Sequence, residues 1–176
     1  MFDCPTIETE RLVLRAFCDD DVDDYFRVHD TPQVRASLHL ADSFDRDVAW
    51  SHLALWLGQW ALRHSGNWAV ELRETGEFIG RAGTHLPVRV GWPGLEIGWT
   101  LHPDHWGRGY ATEAGRAAID WAFANHDVDE VVSVILPENT PSQQVAQRLG
   151  FTWREDRILP HFPQAAHGIW ALPRPS

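Results

Sequence analysis

Between Leu95 and Ala118 the chain reads LEIGWTLHPDHWGRGYATEAGRAA. Glycines placed between a strand and a helix let main-chain N–H groups close around a phosphate, and the helix N-terminus adds the positive end of its dipole. The turn is Trp106-Gly107-Arg108-Gly109-Tyr110-Ala111, followed by Thr112. A tight strand-to-helix connection would use the same glycines, so the flanks decide. Before the turn, Leu95, Ile97, Trp99 and Leu101 alternate with Glu96, Gly98 and Thr100, the period of a strand. After it, Ala114, Ala117, Ala118, Trp121 and Ala122 recur at helical spacing.

Other reactive residue types form weaker patterns. His102 and His105 are close together in HPDH, but no second pair or cysteine cluster has metal-ligand spacing, so no metal is expected. His102 is expected to pack or cap before the turn. No G-x-S-x-G is present, which disfavours a serine hydrolase. The run Asp19–Asp24 reads as a solvated helix start rather than a cation site.

The elements that must position the turn follow in order. Residues 7–17 read as a half-buried first strand, and residues 19–30 as a helix with Val22, Tyr25, Phe26 and His29 on one face. Thr31-Pro32 ends that element. Residues 45–63 carry the longest helical pattern, with a broad apolar stripe of Val48, Trp50, Leu53, Trp56, Leu57 and Trp60. Residues 67–73 and 77–86 flank Glu74-Thr75-Gly76 as a hairpin. The loop 87–94 holds Trp92 and Pro93. Residues 129–136 form a continuous apolar strand, and a short helix covers 142–149 with Thr140 before it and Pro141 in its first turn. Two last strands cover 151–158 and 168–172. Strands and helices alternate but hairpins also occur, which predicts an α/β chain with a mixed sheet and helices on its faces.

Composition sets outer bounds. A chain of 176 residues suits one domain, 1–176, with one core. No apolar run reaches the roughly 20 residues that span a bilayer, and no signal-peptide pattern opens the chain. Cys4 and Cys18 make no disulfide framework, so a cytoplasmic location is the default. The net charge of −10 comes without a basic patch, so neither nucleic acid nor membrane is an expected partner. The ten tryptophans are expected mostly in the core, some lining a pocket.

Taken together, ETERLVLR, FIGRAG, EIGWTLHPDHWGRGYATEA and ENTPSQQVAQRLGF resemble the GCN5-related N-acetyltransferase (GNAT) superfamily over nearly the whole chain. They look most like the ribosomal-protein N-terminal acetyltransferase (RimJ/RimL-like) branch. The resemblance implies a central mixed, mostly antiparallel sheet of about seven strands flanked by about four helices and splayed at an acetyl-CoA site. It implies acetyl-CoA as cosubstrate and an amine as acceptor. The family's pyrophosphate signature falls on Trp106, Gly107, Arg108, Gly109, Tyr110 and Ala111; Gly109 and Ala111 match, while Trp106 replaces the usual Arg or Gln. Thr112 would add a hydroxyl to a phosphate or serve as an ordinary helix-start Thr. By the same resemblance Trp99, Thr100 and Leu101 present backbone groups to the pantetheine arm and acetyl carbonyl. Asn139 would hydrogen-bond that arm, or simply cap a turn.

Acetyl transfer to an amine needs a base for the ammonium, a donor for the oxyanion and a proton for the departing thiolate. Alternation sets Glu96 opposite Leu95, Ile97 and Trp99, making it the candidate base; its other reading is a cross-strand partner for an Arg such as Arg81. His161 is a second candidate base. Two mechanisms known in relatives do not transfer, because Ala146 stands where many hold a Tyr acid and Val134 where others hold a Glu base. Ser142 stands where the ribosomal-protein branch can hold a hydroxyl near the sulfur; it would act there or as a first-turn helix Ser. The expected activity is acetyl-CoA-dependent N-acetyl transfer to a primary amine, on a protein N-terminus or a small molecule. A non-catalytic acyl-CoA-binding module is the first alternative, and a different mononucleotide-binding domain the second. Residue types alone leave the acceptor and any homodimer open.

Overall fold

The computed structural model describes residues 4–38, 40 and 43–175. In chain order the elements are β1 (Ile7–Glu8), β2 (Leu12–Arg15), α1 (Val22–His29), α2 (Pro32–Leu38), α3 (Arg46–Arg63), β3 (Asn67–Leu72) and β4 (Phe78–His85). There follow β5 (Glu96–Leu101), α4 (Tyr110–Asn125), β6 (Glu130–Ile135), α5 (Thr140–Leu149), β7 (Thr152–Ile158) and β8 (Ala166–Pro173). Single 3₁₀ turns lie at Asp19–Asp21 and Pro103–His105. Among the described residues the strands form one sheet in the order β1-β2-β3-β4-β5-β6-β8-β7. Every neighbouring pair is antiparallel except β5 and β6.

This is the expected mixed, mostly antiparallel sheet, with eight strands and five α-helices among the described residues. The added strand arises because the first apolar stretch breaks at Thr9, whose N–H donates to the Leu12 carbonyl and whose hydroxyl oxygen accepts from the Leu12 N–H. The added helix is α2. Thr31-Pro32 ends α1 and also begins α2, since Thr31 Oγ1 accepts from Val34 N at 3.4 Å and proline at the first helical position sacrifices no bond.

A core lies on each face of the sheet. On one, α4 buries Ala114, Ala118 and Ala122 against Leu12, Leu14, Ile79 and Ile97. On the other, α1 and α3 bury Tyr25, Val28, Leu53 and Trp56 against Phe17, Ala69 and Phe78. The alternation of β5 sends Ile97, Trp99 and Leu101 to the α4 face and Glu96, Gly98 and Thr100 to the α1/α3 face. Register then pairs Thr100 with Arg81, Gly98 with Gly83 and Glu96 with His85.

Two expectations need correction. Trp50 is 54% exposed rather than part of the buried stripe of α3. Asp21 is buried, not solvated: Arg15 donates to both of its carboxylate oxygens (2.7 and 2.8 Å) and also to Glu71. Among the described residues no helix is long and apolar enough to cross a membrane.

Candidate active site

β5 and β6 are bridged at one position, Glu96 opposite Val132, where Val132 N donates to the Leu95 carbonyl at 2.9 Å. Past it the strands part. The ladder with β4 continues to His102, whose N–H donates to the Ile79 carbonyl at 2.9 Å. Antiparallel alternation therefore commits the main chain of Thr100 to β4 and turns that of Trp99 and Leu101 toward the gap. Thr100 lies at the cavity, and its hydroxyl is buried without a hydrogen-bond partner.

Below the gap lies the glycine turn. Gly107 (φ 75°) and Gly109 (φ 83°) both adopt the left-handed conformation that side chains rarely tolerate. Gly109 caps α4, and the first bond inside the helix runs from Glu113 N to the Gly109 carbonyl. The N–H groups of Tyr110, Ala111 and Thr112 therefore have no acceptor within the helix, an arrangement suited to an anion. Trp106, at the position of the missing Arg or Gln, donates its indole N–H to the Leu101 carbonyl at 2.7 Å. It ties the turn to the end of β5.

A second tie comes from Arg11, which composition and spacing did not single out. Its Nη1 donates to the Arg108 carbonyl at 2.9 Å, its Nε to Glu113 at 2.7 Å, and its guanidinium lies 4.7 Å from the Tyr110 ring centre. Glu113 also accepts from the Arg11 N–H and the Thr9 hydroxyl. Burial pushes the Glu113 carboxyl up, but these donors prevail and hold it below the usual carboxylate range.

The far wall comes from α5 and α2. Asn139 is the N-cap of α5: its Oδ1 accepts from Ser142 N at 3.2 Å, and its Nδ2 donates to the Ser37 carbonyl at 3.4 Å. One side chain thus joins both helices. The cavity between these elements is about 490 Å³. It is lined by Trp99, Thr100, Leu101, Trp106, Gly107, Gly109, Tyr110, Ala111, Thr112, Asn139 and Ser142, together with Val34, Ser37 and Leu38 of α2. Arg108 is exposed, and its carbonyl accepts from Arg11.

Glu96 stands outside this lining, on the α1/α3 face where β5 and β6 still meet. Burial pushes its carboxyl up to about 7, against the opposing pull of Arg81, Arg89 and the Val134 main chain. Arg81 is not its ion-pair partner. Arg81 Nη1 donates to Asn67 Oδ1 at 2.7 Å, its Nε points to His29 Nε2 at 3.4 Å, and it lies over Trp56. Burial, with the charge of Arg81 nearby, holds three histidines of this face neutral. His29 is well below its ordinary value, His52 is lowered to about 4 and His85, with Arg89 also near, to about 3.

The loops that hold Trp92 and Phe162 meet near His85, the cross-strand neighbour of Glu96. Trp92 stacks on His85 (5.5 Å between ring centres) and leans on Phe162 (6.3 Å). Arg89 lies over both aromatic rings. His161 is exposed on the same loop as Phe162. His102 caps the 3₁₀ turn, accepting from Asp104 N.

Comparison with known proteins agrees with this geometry. The family described as acetyltransferase (GNAT) domain matches residues 11–152. An acetyltransferase from Agrobacterium tumefaciens str. C58 is 32% identical, with a TM-score of 0.84 over 99% of this chain and 97% of its own. The uncharacterized N-acetyltransferase YoaA of Bacillus subtilis (strain 168) is 26% identical over 147 residues, 84% of this chain and 82% of that protein. Mycobacterium smegmatis RimJ in complex with CoA-disulfide has a TM-score of 0.70 at 21% identity, over 92% of this chain and 81% of its own. At that identity the likeness is one of fold.

Proposed function

The chain belongs to the acetyltransferase (GNAT) domain family, and from that premise we propose that it moves an acetyl group from acetyl-CoA to a primary amine by direct attack in a ternary complex. The observation that carries the reading is the cavity held between the parted strands and the α4 N-terminus. It offers free main-chain N–H groups at one end and unpaired strand amides at the other. Diphosphate and a pantetheine-like arm have that polarity. That the solved M. smegmatis RimJ carries a CoA-disulfide supports the same ligand class. We place the whole chain, as one domain, in the cytoplasm, the default for a chain whose two cysteines make no disulfide framework.

Bound acetyl-CoA supplies the activated acyl group; the protein supplies position and proton handling. The amides of Tyr110, Ala111 and Thr112 hold the diphosphate, with Gly107 and Gly109 giving the main chain its approach. Trp99 and Leu101 direct the arm along the gap, and their free N–H groups polarise the acyl carbonyl. Asn139 keeps α2 and α5 closed around the arm. Glu96 takes the ammonium proton, directly or through a water. Ser142, in the first turn of α5, orients the departing thiolate through a hydrogen bond from its hydroxyl, and the thiolate, whose pKa is about 8.5 by analogy with cysteine, takes its proton from water.

Calorimetry with CoA and thiol release from acetyl-CoA over an amine panel test the proposal together. Binding with amine-dependent thiol release is the expected result. Binding without turnover on any amine would leave an acyl-CoA-binding module, and no binding would remove the reading.

A further inference from the structure

Where the loops of Trp92 and Phe162 meet, two buried side-chain atoms have no hydrogen-bond partner: His85 Nε2 and Trp92 Nε1. Their rings stack on one another, and His85 is the cross-strand neighbour of Glu96. A buried indole N–H without an acceptor costs about 1–3 kcal/mol, so a ligand atom that accepts there gains what the free protein forgoes. His85 is a neutral imidazole, able to donate from Nε2 in that tautomer. Beside them, among the described residues, Arg89 has aromatic faces under its guanidinium but no carboxylate within ion-pair distance. Arg81 also meets no carboxylate; its bonds go to His29 and Asn67. Donors and positive charge therefore converge next to the base in a chain whose net charge is −10.

From this we propose that the acceptor is a compact amine carrying a carboxylate, with Arg89, Trp92 and His85 receiving the carboxylate while Glu96 faces the amine. The proposal rests on the acetyltransferase reading and adds the acceptor's chemical class. Span follows from the register. His85 and Glu96 are opposite one another, about 4.5–5.5 Å apart at Cα, so amine and carboxylate are separated by a few bonds, as in an amino acid. A long polyamine brings only cations to this surface and satisfies neither orphan donor.

The test is thiol release from acetyl-CoA with matched acceptors: an amino acid, its carboxamide, the decarboxylated amine, a linear polyamine, and a peptide with an acidic N-terminal residue. Binding of acetyl-CoA is measured separately by calorimetry. The acid is expected to exceed its carboxamide and the decarboxylated amine at least 10-fold in kcat/KM. Arg89→Met brings that ratio close to one, mostly through KM, and Arg89→Lys retains part of it. A preference for the peptide over the free acid overturns the compact acceptor. Equal or better turnover of the carboxamide, the decarboxylated amine or the polyamine overturns the proposal. So does an acid preference unchanged in Arg89→Met, or acetyl-CoA binding without turnover of any carboxylate-bearing amine. Failure to bind acetyl-CoA at all is the separate failure of the acetyltransferase reading.

Discussion

As the base proposed above, Glu96 would act in its deprotonated form, and burial on the α1/α3 face sets where that form appears. With its carboxyl pushed up to about 7, kcat/KM is expected to rise with pH through that value. Glu96→Gln should remove this limb and lower kcat/KM by about 10²–10⁴-fold. A pH profile of the variant that keeps the limb near 7 assigns the base elsewhere. The position of Glu96 on its strand was legible from alternation. Its altered proton affinity was not, because that comes from what packs over the strand, and no spacing in residues 95–101 encodes it. The same holds for Thr100, whose main chain is committed to β4 while its hydroxyl is left without a partner.

At the scale of elements, the glycine turn is held from outside. Arg11, on the loop between β1 and β2, fixes the Arg108 carbonyl and the Glu113 carboxylate, so the first strands brace the start of α4. Arg11→Met should weaken CoA binding about 5–30-fold, the equivalent of about 1–2 kcal/mol for a lost charge-assisted bond, with little change in kcat at saturation. Calorimetry and steady-state rates check the two halves of that statement. The strand, turn and helix at Leu95–Ala118 were readable because each has a local period. The Arg11 tie was not, since its partners lie 97 and 102 residues away. Helix α2 was missed for a different reason: Thr31-Pro32 carries both a stop and a start signal, and only the stop was read. That helix supplies Val34, Ser37 and Leu38 to the cavity, so the omission left one wall unassigned.

Across the whole molecule, the α1/α3 face makes stability depend on pH. His29, His52 and His85 bind protons less readily folded than unfolded, with burial the leading cause. Their contribution is present above the ordinary histidine value of 6.5 and is lost as pH falls toward the lowered folded values, about 4 for His52 and about 3 for His85. Glu96 acts oppositely: its folded carboxyl keeps a proton between 4.5 and about 7, so its contribution declines as pH rises through that window. Three histidines outweigh one carboxyl, each proton being worth up to about 1.4 kcal/mol per pH unit and less for the partly exposed His52. Thermal melts should therefore show Tm falling from pH 6.5 to 5, and His85→Phe should flatten that fall. A Tm that holds or rises over this range would contradict the neutral state assigned to these side chains.

The central claim is that main-chain amides beside Gly109 hold the diphosphate of CoA. Calorimetry of the wild-type protein and Gly109→Val with CoA, ATP and NAD tests it most directly. At Gly109 the φ of 83° is strained for any side chain, and an added Cβ would lie 3.3 Å from Arg11. The expected result is preferential binding of CoA by the wild type, with that binding weakened at least 10-fold in a variant that melts like its parent. Undiminished CoA binding by Gly109→Val, or ATP or NAD binding as tightly as CoA, would contradict it.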